Sequence, residues 1–112
     1  MIEYRRIEEI DTETIRSLME HYSLQFPRFI INYYPERWSK YLKEQNDSEY
    51  WVATIDDEVV GHAGYLYNVE LKLYEIVGVV VSSQHQRKGI GKQLLHILCD
   101  RVRDRGMNKV AL

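Results

Sequence analysis

Apolar positions recur along this 112-residue chain with two different periods. In the first 45 residues the dominant spacing is helical. Ile15, Leu18, Met19 and Tyr22 stand at i, i+3, i+4 and i+7, one face of a helix that Asp11 and Thr12 can cap. Pro27 closes that helix or its exit. Pro35 suits the first turn of a second helix with Trp38, Tyr41 and Leu42 on one side, and Asn46-Asp47-Ser48 breaks it. A short strand, residues 2–7, precedes both. After residue 49 the pattern turns β-rich. Residues 50–54 and 58–67 flank a turn at Ile55-Asp56-Asp57, and Asn68-Val69-Glu70 makes a second turn. The stretch 71–83 predicts a long strand. Its second half is almost unbroken in apolar residues, which implies burial on both faces and a central place in the sheet. A third helix is predicted from 91 to about 105, with Leu94, Leu95, Leu98 and Val102 inward and Gly106 as its C-terminal cap. Residues 109–112 begin another strand.

The order β-α-α-β-β-β-α-β predicts a mixed α/β (α+β) sheet in one domain, residues 1–112. Its middle strands should be antiparallel, and its last strand-helix-strand unit parallel with a right-handed crossover. Charge and cysteine content narrow the function classes. A formal net charge of −2 leaves no basic footprint for nucleic acid. Cys99 is the single cysteine, so no disulfide forms within the chain, which suits a reducing compartment. His21, His62, His85 and His96 are scattered, without metal-ligand spacing. No apolar run reaches membrane-spanning length, and the N-terminus does not read as a signal peptide. The expectation is a cytoplasmic protein with no membrane, nucleic-acid or metal partner.

The strand-to-helix junction SSQHQRKGIGKQLLHIL, residues 82–98, carries Gly89, Gly91 and the cations Arg87, Lys88 and Lys92. The first amides of a helix lack intrahelical acceptors and carry partial positive charge, so a glycine loop feeding them can cradle phosphate. The alternative is a plain turn with solvated cations. A Walker A loop is excluded by Gln86 and Gln93, and a dinucleotide fingerprint by Leu94.

Gln86-Arg87-Lys88-Gly89-Ile90-Gly91 resembles the [Gln/Arg]-x-x-Gly-x-[Gly/Ala] loop of the GNAT superfamily of N-acetyltransferases, and the element order around it is similar. The resemblance implies that acetyl-CoA is the co-substrate. It implies that the backbone of Arg87, Lys88, Gly89, Ile90, Gly91 and Lys92 holds the pyrophosphate, with Gln86 shaping the loop. It also implies that the pantetheine runs beside Val79 and Val81, and that a bulge at Gly78 opens a notch for the thioester.

For acetyl transfer to an amine, protonation is the first obstacle. With a pKa near 10.4, about one lysine-like amine in 2,500 is neutral at pH 7. Glu75 is the candidate base: it is the only charge between Leu73 and Gln86, and period-2 alternation puts it on one side with Val77, Val79 and Val81. The alternative is a glutamate at the wet end of a strand. The resemblance assigns the oxyanion donor to the Val79 backbone N–H. It places the general acid beyond Leu112, along with the closing helix and last two strands. The chain is therefore expected to be C-terminally incomplete, with an exposed edge open to a homodimer.

Cys99 reads as a small core residue and His85 as solvated. His62 reads as a satisfied structural histidine or as a group facing the acceptor. The aromatics from Tyr22 to Tyr41 are mostly core. The expected activity is N-acetyl transfer to a small-molecule or peptide amine. The alternatives are a non-catalytic acyl-CoA-binding or regulatory module and a structural domain whose loop binds nothing.

Overall fold

The computed structural model describes residues 1–22, 24–44 and 47–112. Strand β1 (Ile2–Arg6) is followed by helices α1 (Thr12–Glu20), α2 (Arg28–Ile31) and α3 (Tyr34–Glu44). Strands β2 (Glu49–Ile55), β3 (Glu58–Asn68) and β4 (Leu73–Val81) come next, then α4 (Ile90–Asp104) and β5 (Val110–Ala111). The sheet runs β1-β2-β3-β4-β5, antiparallel except for the parallel β4–β5 pair. The mixed α/β expectation matches this architecture, and local chemistry explains most of it. Asp56 and Asp57 both take positive φ, 51° and 68°, as a two-residue turn between right-twisted strands requires. Gly106, at φ 90°, lies just past α4, and its N–H bonds the Arg103 carbonyl.

Several expectations need correction. Tyr22 lies beyond the end of α1, not on its apolar face. Asp11 does not cap α1. Its carboxylate accepts from the Arg5 guanidinium at 2.7 and 2.9 Å and from the Glu8 N–H at 2.7 Å, closing a 3-10 turn instead. Pro27 opens the extra one-turn helix α2 rather than ending α1. Of the expected helix breaker, Asn46 lies outside the described residues. Most consequentially, β4 is central only at its start: β5 pairs with Tyr74 and Glu75 alone. The apolar second half of β4 is buried by helices, with no strand on that side in the described residues.

The sheet separates two cores. Ile15, Met19, Trp38, Tyr41, Tyr50, Val52 and Val80 fill the side covered by α1–α3. Ala63, Tyr65, Ile76, Leu94, Leu98 and Val102 fill the side covered by α4. An ionic cluster fastens the C-terminal half of α4. Glu49, 3% exposed, accepts from Arg101 Nε at 3.1 Å, Trp51 Nε1 at 3.0 Å and the Tyr65 hydroxyl at 2.7 Å. Arg6 and Arg105 approach its carboxylate at 3.6 Å. Burial pushes the Glu49 pKa up, but the hydrogen bonds from Arg101, Tyr65 and Trp51 outweigh it and hold the carboxyl at about 2.

Because the folded pKa lies below the unfolded one, this stabilisation is complete above the unfolded pKa and disappears as pH falls through the folded value. Urea unfolding should therefore show a loss of about 3 kcal/mol assignable to Glu49 between pH 6 and pH 2. Glu49→Gln should lack that part of the slope and be less stable at neutral pH by about 3 kcal/mol, since Arg101 is left without its carboxylate.

Candidate active site

Strand β4 holds one residue too many for its partner. Val77 faces Gly64 and Val80 faces His62, so Gly78 and Val79 together stand opposite Ala63. Gly78 absorbs the surplus with φ +66°, a left-handed conformation that glycine adopts without steric cost. The bulge reverses the alternation of side chains. Val77 and Val80 pack on the α1–α3 side, whereas Ile76, Val79 and Val81 pack on the α4 side. The expectation that Glu75, Val77, Val79 and Val81 share one side is therefore wrong: strict period 2 holds only for an unbulged strand.

The Gly78 carbonyl has left the ladder, and His62 receives it. The His62 ring lies 2.7 Å from that oxygen through Nδ1, while Trp38 Nε1–H points at Nε2 from 3.2 Å. A carbonyl can only accept and an indole N–H can only donate, so the ring is neutral with its proton on Nδ1. His62 has no exposed surface, and burial pulls its pKa down to about 4 despite the bond to Gly78. It is a structural histidine and does not face an acceptor.

Past the bulge, the outer edge of β4 meets side chains instead of a strand. Ser82 N–H bonds the Val60 carbonyl at 2.7 Å, so alternation turns the polar groups of Val81 away from β3. The Val81 carbonyl accepts from the Tyr22 hydroxyl and the Val79 carbonyl from Gln25 Nε2, each at 3.0 Å. Gln86 Nε2 in turn donates to the Tyr22 hydroxyl at 3.1 Å. Sequence periodicity assigned Tyr22 to a helix face and passed over Gln25, because no local signal marks a side chain whose partner lies more than 50 residues away.

The loop then turns into α4. Gln86 is extended, Arg87 has φ 69°, and Gly89 has φ 76° at the helix N-cap. Backbone that alternates hand in this way turns successive N–H groups toward one point. Among the described residues, no acceptor takes the backbone N–H groups of Gln86 to Lys92. The exposed side chains of Arg87, Lys88 and Lys92 likewise form no ion pair there.

These features surround one open cleft of about 460 Å3. Val79, Val81, Gln86, Arg87, Gly89, Ile90, Gly91 and Lys92 all line it. Lys88 does not; its Nζ lies 3.2 Å from His85 Nδ1. His85, read from sequence as solvated, is half-buried and lines the cleft with Tyr22, Gln25 and Val80. Glu75 is not a lining residue. It is half-buried, and Asn68 Nδ2 donates to it at 3.3 Å. Cys99 is half-buried on α4, away from this cleft. Among the described residues no group of His, Cys, Asp and Glu is arranged to hold a metal, and no helix is long and apolar enough to cross a membrane.

Residues 15–112 match the acetyltransferase (GNAT) family. The chain is 34% identical to human N-acetyltransferase 8 across 64% of its own length, and spans a third (33%) of that relative. Among solved structures, a GNAT-family protein from Desulfovibrio desulfuricans superposes with a TM-score of 0.81 at 23% identity, over 95% of this chain and 69% of that one. A predicted acetyltransferase from Clostridium acetobutylicum, solved with acetyl-CoA, gives 0.77 at 16% identity, over 100% and 80%.

The glycines separate by local geometry. A Cβ on Gly78 would lie 2.9 Å from His62 Cε1, in addition to the unfavourable φ. Gly78→Ala should cost about 2 kcal/mol or more in denaturant unfolding. Gly89→Ala meets no atom but keeps its positive φ, and should cost about 1 kcal/mol. Gly91→Ala finds Val81 Cγ2 at an ordinary 3.7 Å and should leave stability within about 0.5 kcal/mol of the parent.

Proposed function

This chain belongs to the GNAT acetyltransferase family, and from that premise we propose that it binds acetyl-CoA in the cleft beside β4 and transfers the acetyl group directly to a primary amine. The observation that carries the reading is the run of unbonded amides from Gln86 to Lys92, facing a cleft that continues along the open edge of β4. Unbonded amides, a helix N-terminus and unpaired cations are the donors a diphosphate needs. Arg87 and Lys92 add charge at the rim. The Val79 and Val81 edge suits an extended ligand with amide groups, which pairs there as an added strand would. To do so, its N–H groups take over the carbonyls now held by Gln25 and Tyr22.

Acetyl-CoA, when bound, supplies an activated thioester carbonyl. Around it the protein has two tasks. Glu75, directly or through water, takes a proton from the ammonium form and leaves a nucleophilic amine. The amine attacks the carbonyl carbon, a C–N bond forms, and the Val79 N–H stabilises the oxyanion, an effect worth about 3 kcal/mol. The attacking nitrogen then gives up its second proton to solvent, the C–S bond breaks, and the leaving thiolate is protonated from solvent. Half-burial and, among the described residues, one amide hydrogen-bond partner suit Glu75 to this exchange.

A second reading is an acyl-CoA-binding module without turnover. The observation that favours it is the absence of Glu75 from the cleft lining.

Two measurements decide. CoA at about 100 times its dissociation constant should stabilise the fold by about 2.7 kcal/mol in thermal unfolding; no shift rules out both readings. Glu75→Gln should bind CoA as the parent does and lose about 10²–10⁴-fold in turnover near pH 7. The loss should narrow as pH approaches the amine's own pKa, about 10. A parent that binds CoA without turning over any amine supports the binding module.

A further inference from the structure

The bulge in β4 depends on a group outside the cleft. Gly78 and Val79 have no register partner on β3, so the Gly78 carbonyl must find a donor elsewhere. It finds the His62 ring at 2.7 Å. His62 is also the residue whose backbone pairs with Val80, on the far side of the bulge. One residue therefore holds the bulge through both its side chain and its strand position.

The ring is not free to choose its tautomer or tilt. Trp38 donates to Nε2, the Tyr50 ring stacks on it at 5.9 Å and 12°, and Tyr34 meets it edge-on at 6.2 Å. Trp38, Tyr34 and Tyr50 are each 3% exposed or less. This is more constraint than filling a core requires, since an apolar ring would fill the same space without a proton to place.

Resting on the acetyl-transfer reading above, we propose that His62 is a positioning residue. Its Nδ1–H fixes the Gly78 carbonyl, and through the bulge it holds the Val79 backbone N–H at the cleft where the oxyanion forms. Trp38 belongs to the same device, because it reserves Nε2 as an acceptor and so keeps the proton on Nδ1.

The test compares two substitutions and one spectrum. In His62→Asn the side-chain amide can occupy the Nδ1 position and still donate to Gly78. In His62→Gln the amide reaches the Nε2 position and favours Trp38. Both remove ring packing, so a purely structural role predicts equal turnover per folded molecule.

The expected result is a kcat at least about tenfold lower for His62→Gln than for His62→Asn, with CoA affinity alike within about twofold. The Val79 amide resonance should move in His62→Gln and stay near the parent position in His62→Asn. Equal kcat with an unmoved Val79 amide would overturn the proposal.

Long-range 1H–15N spectra of the parent protein test it even if neither variant folds. Nδ1 protonated near neutral pH is required, and an Nε2–H tautomer would overturn the assignment. If the parent binds CoA but acetylates no amine, the transfer reading fails, while the tautomer and the Val79 resonance still judge the role of His62.

Discussion

Strand β4 has to accommodate one more residue than β3 can pair, and the candidate site depends on how that surplus is absorbed. A buried strand cannot leave a carbonyl without a donor. The extra residue is a glycine in a left-handed conformation, and its carbonyl goes to a buried histidine instead of the ladder. The consequences run forward along the chain. Side chains after the bulge change sides, so Val79 and Val81 face the α4 core. Their carbonyls turn to an edge that no strand covers in the described residues, where Gln25 and Tyr22 meet them. The cleft is what remains between that edge and the first turn of α4.

Two groups of basic residues stand apart, and the contrast separates what holds the fold from what is available to a ligand. Arg5 is committed to Asp11, and Arg6, Arg101 and Arg105 gather around Glu49. The first group ties strand ends to turns and the C-terminal half of α4 to the sheet, in partly dry surroundings where a lost partner is expensive. Arg87, Lys88 and Lys92 have no carboxylate among the described residues. They stand exposed beside backbone amides that are also unbonded. A net charge of −2 conceals this local surplus of positive charge. The sum says little about partners; the distribution says more.

Much of the fold was legible because it is written locally. The Asp56-Asp57 turn, the apolar face of α4, the Gly106 stop and the glycine loop each depend on residues within a few positions of one another. Errors arose where a distant partner decided. Asp11 resembles a helix cap until Arg5 and the Glu8 N–H claim its carboxylate. The apolar run in β4 reads as a strand between strands, yet helices provide the burial and β5 touches only its start. Period-2 counting put Glu75 and Val79 on one side, and a single left-handed glycine between them put them on opposite sides.

The sequence by itself determined the order of the strands and of the longer helices, the mixed sheet and the loop with its glycines and cations, though not the one-turn helix α2. Each follows from periodicity, capping or backbone freedom over fewer than about ten residues. Only the tertiary structure decided that Tyr22 and Gln25 reach the edge of β4, that His85 enters the cleft wall, and that His62 is buried against the Gly78 carbonyl. The physical reason is that a hydrogen bond between residues 16 or 59 positions apart has no local signature. It becomes visible only when the chain has folded and each buried donor has found its acceptor.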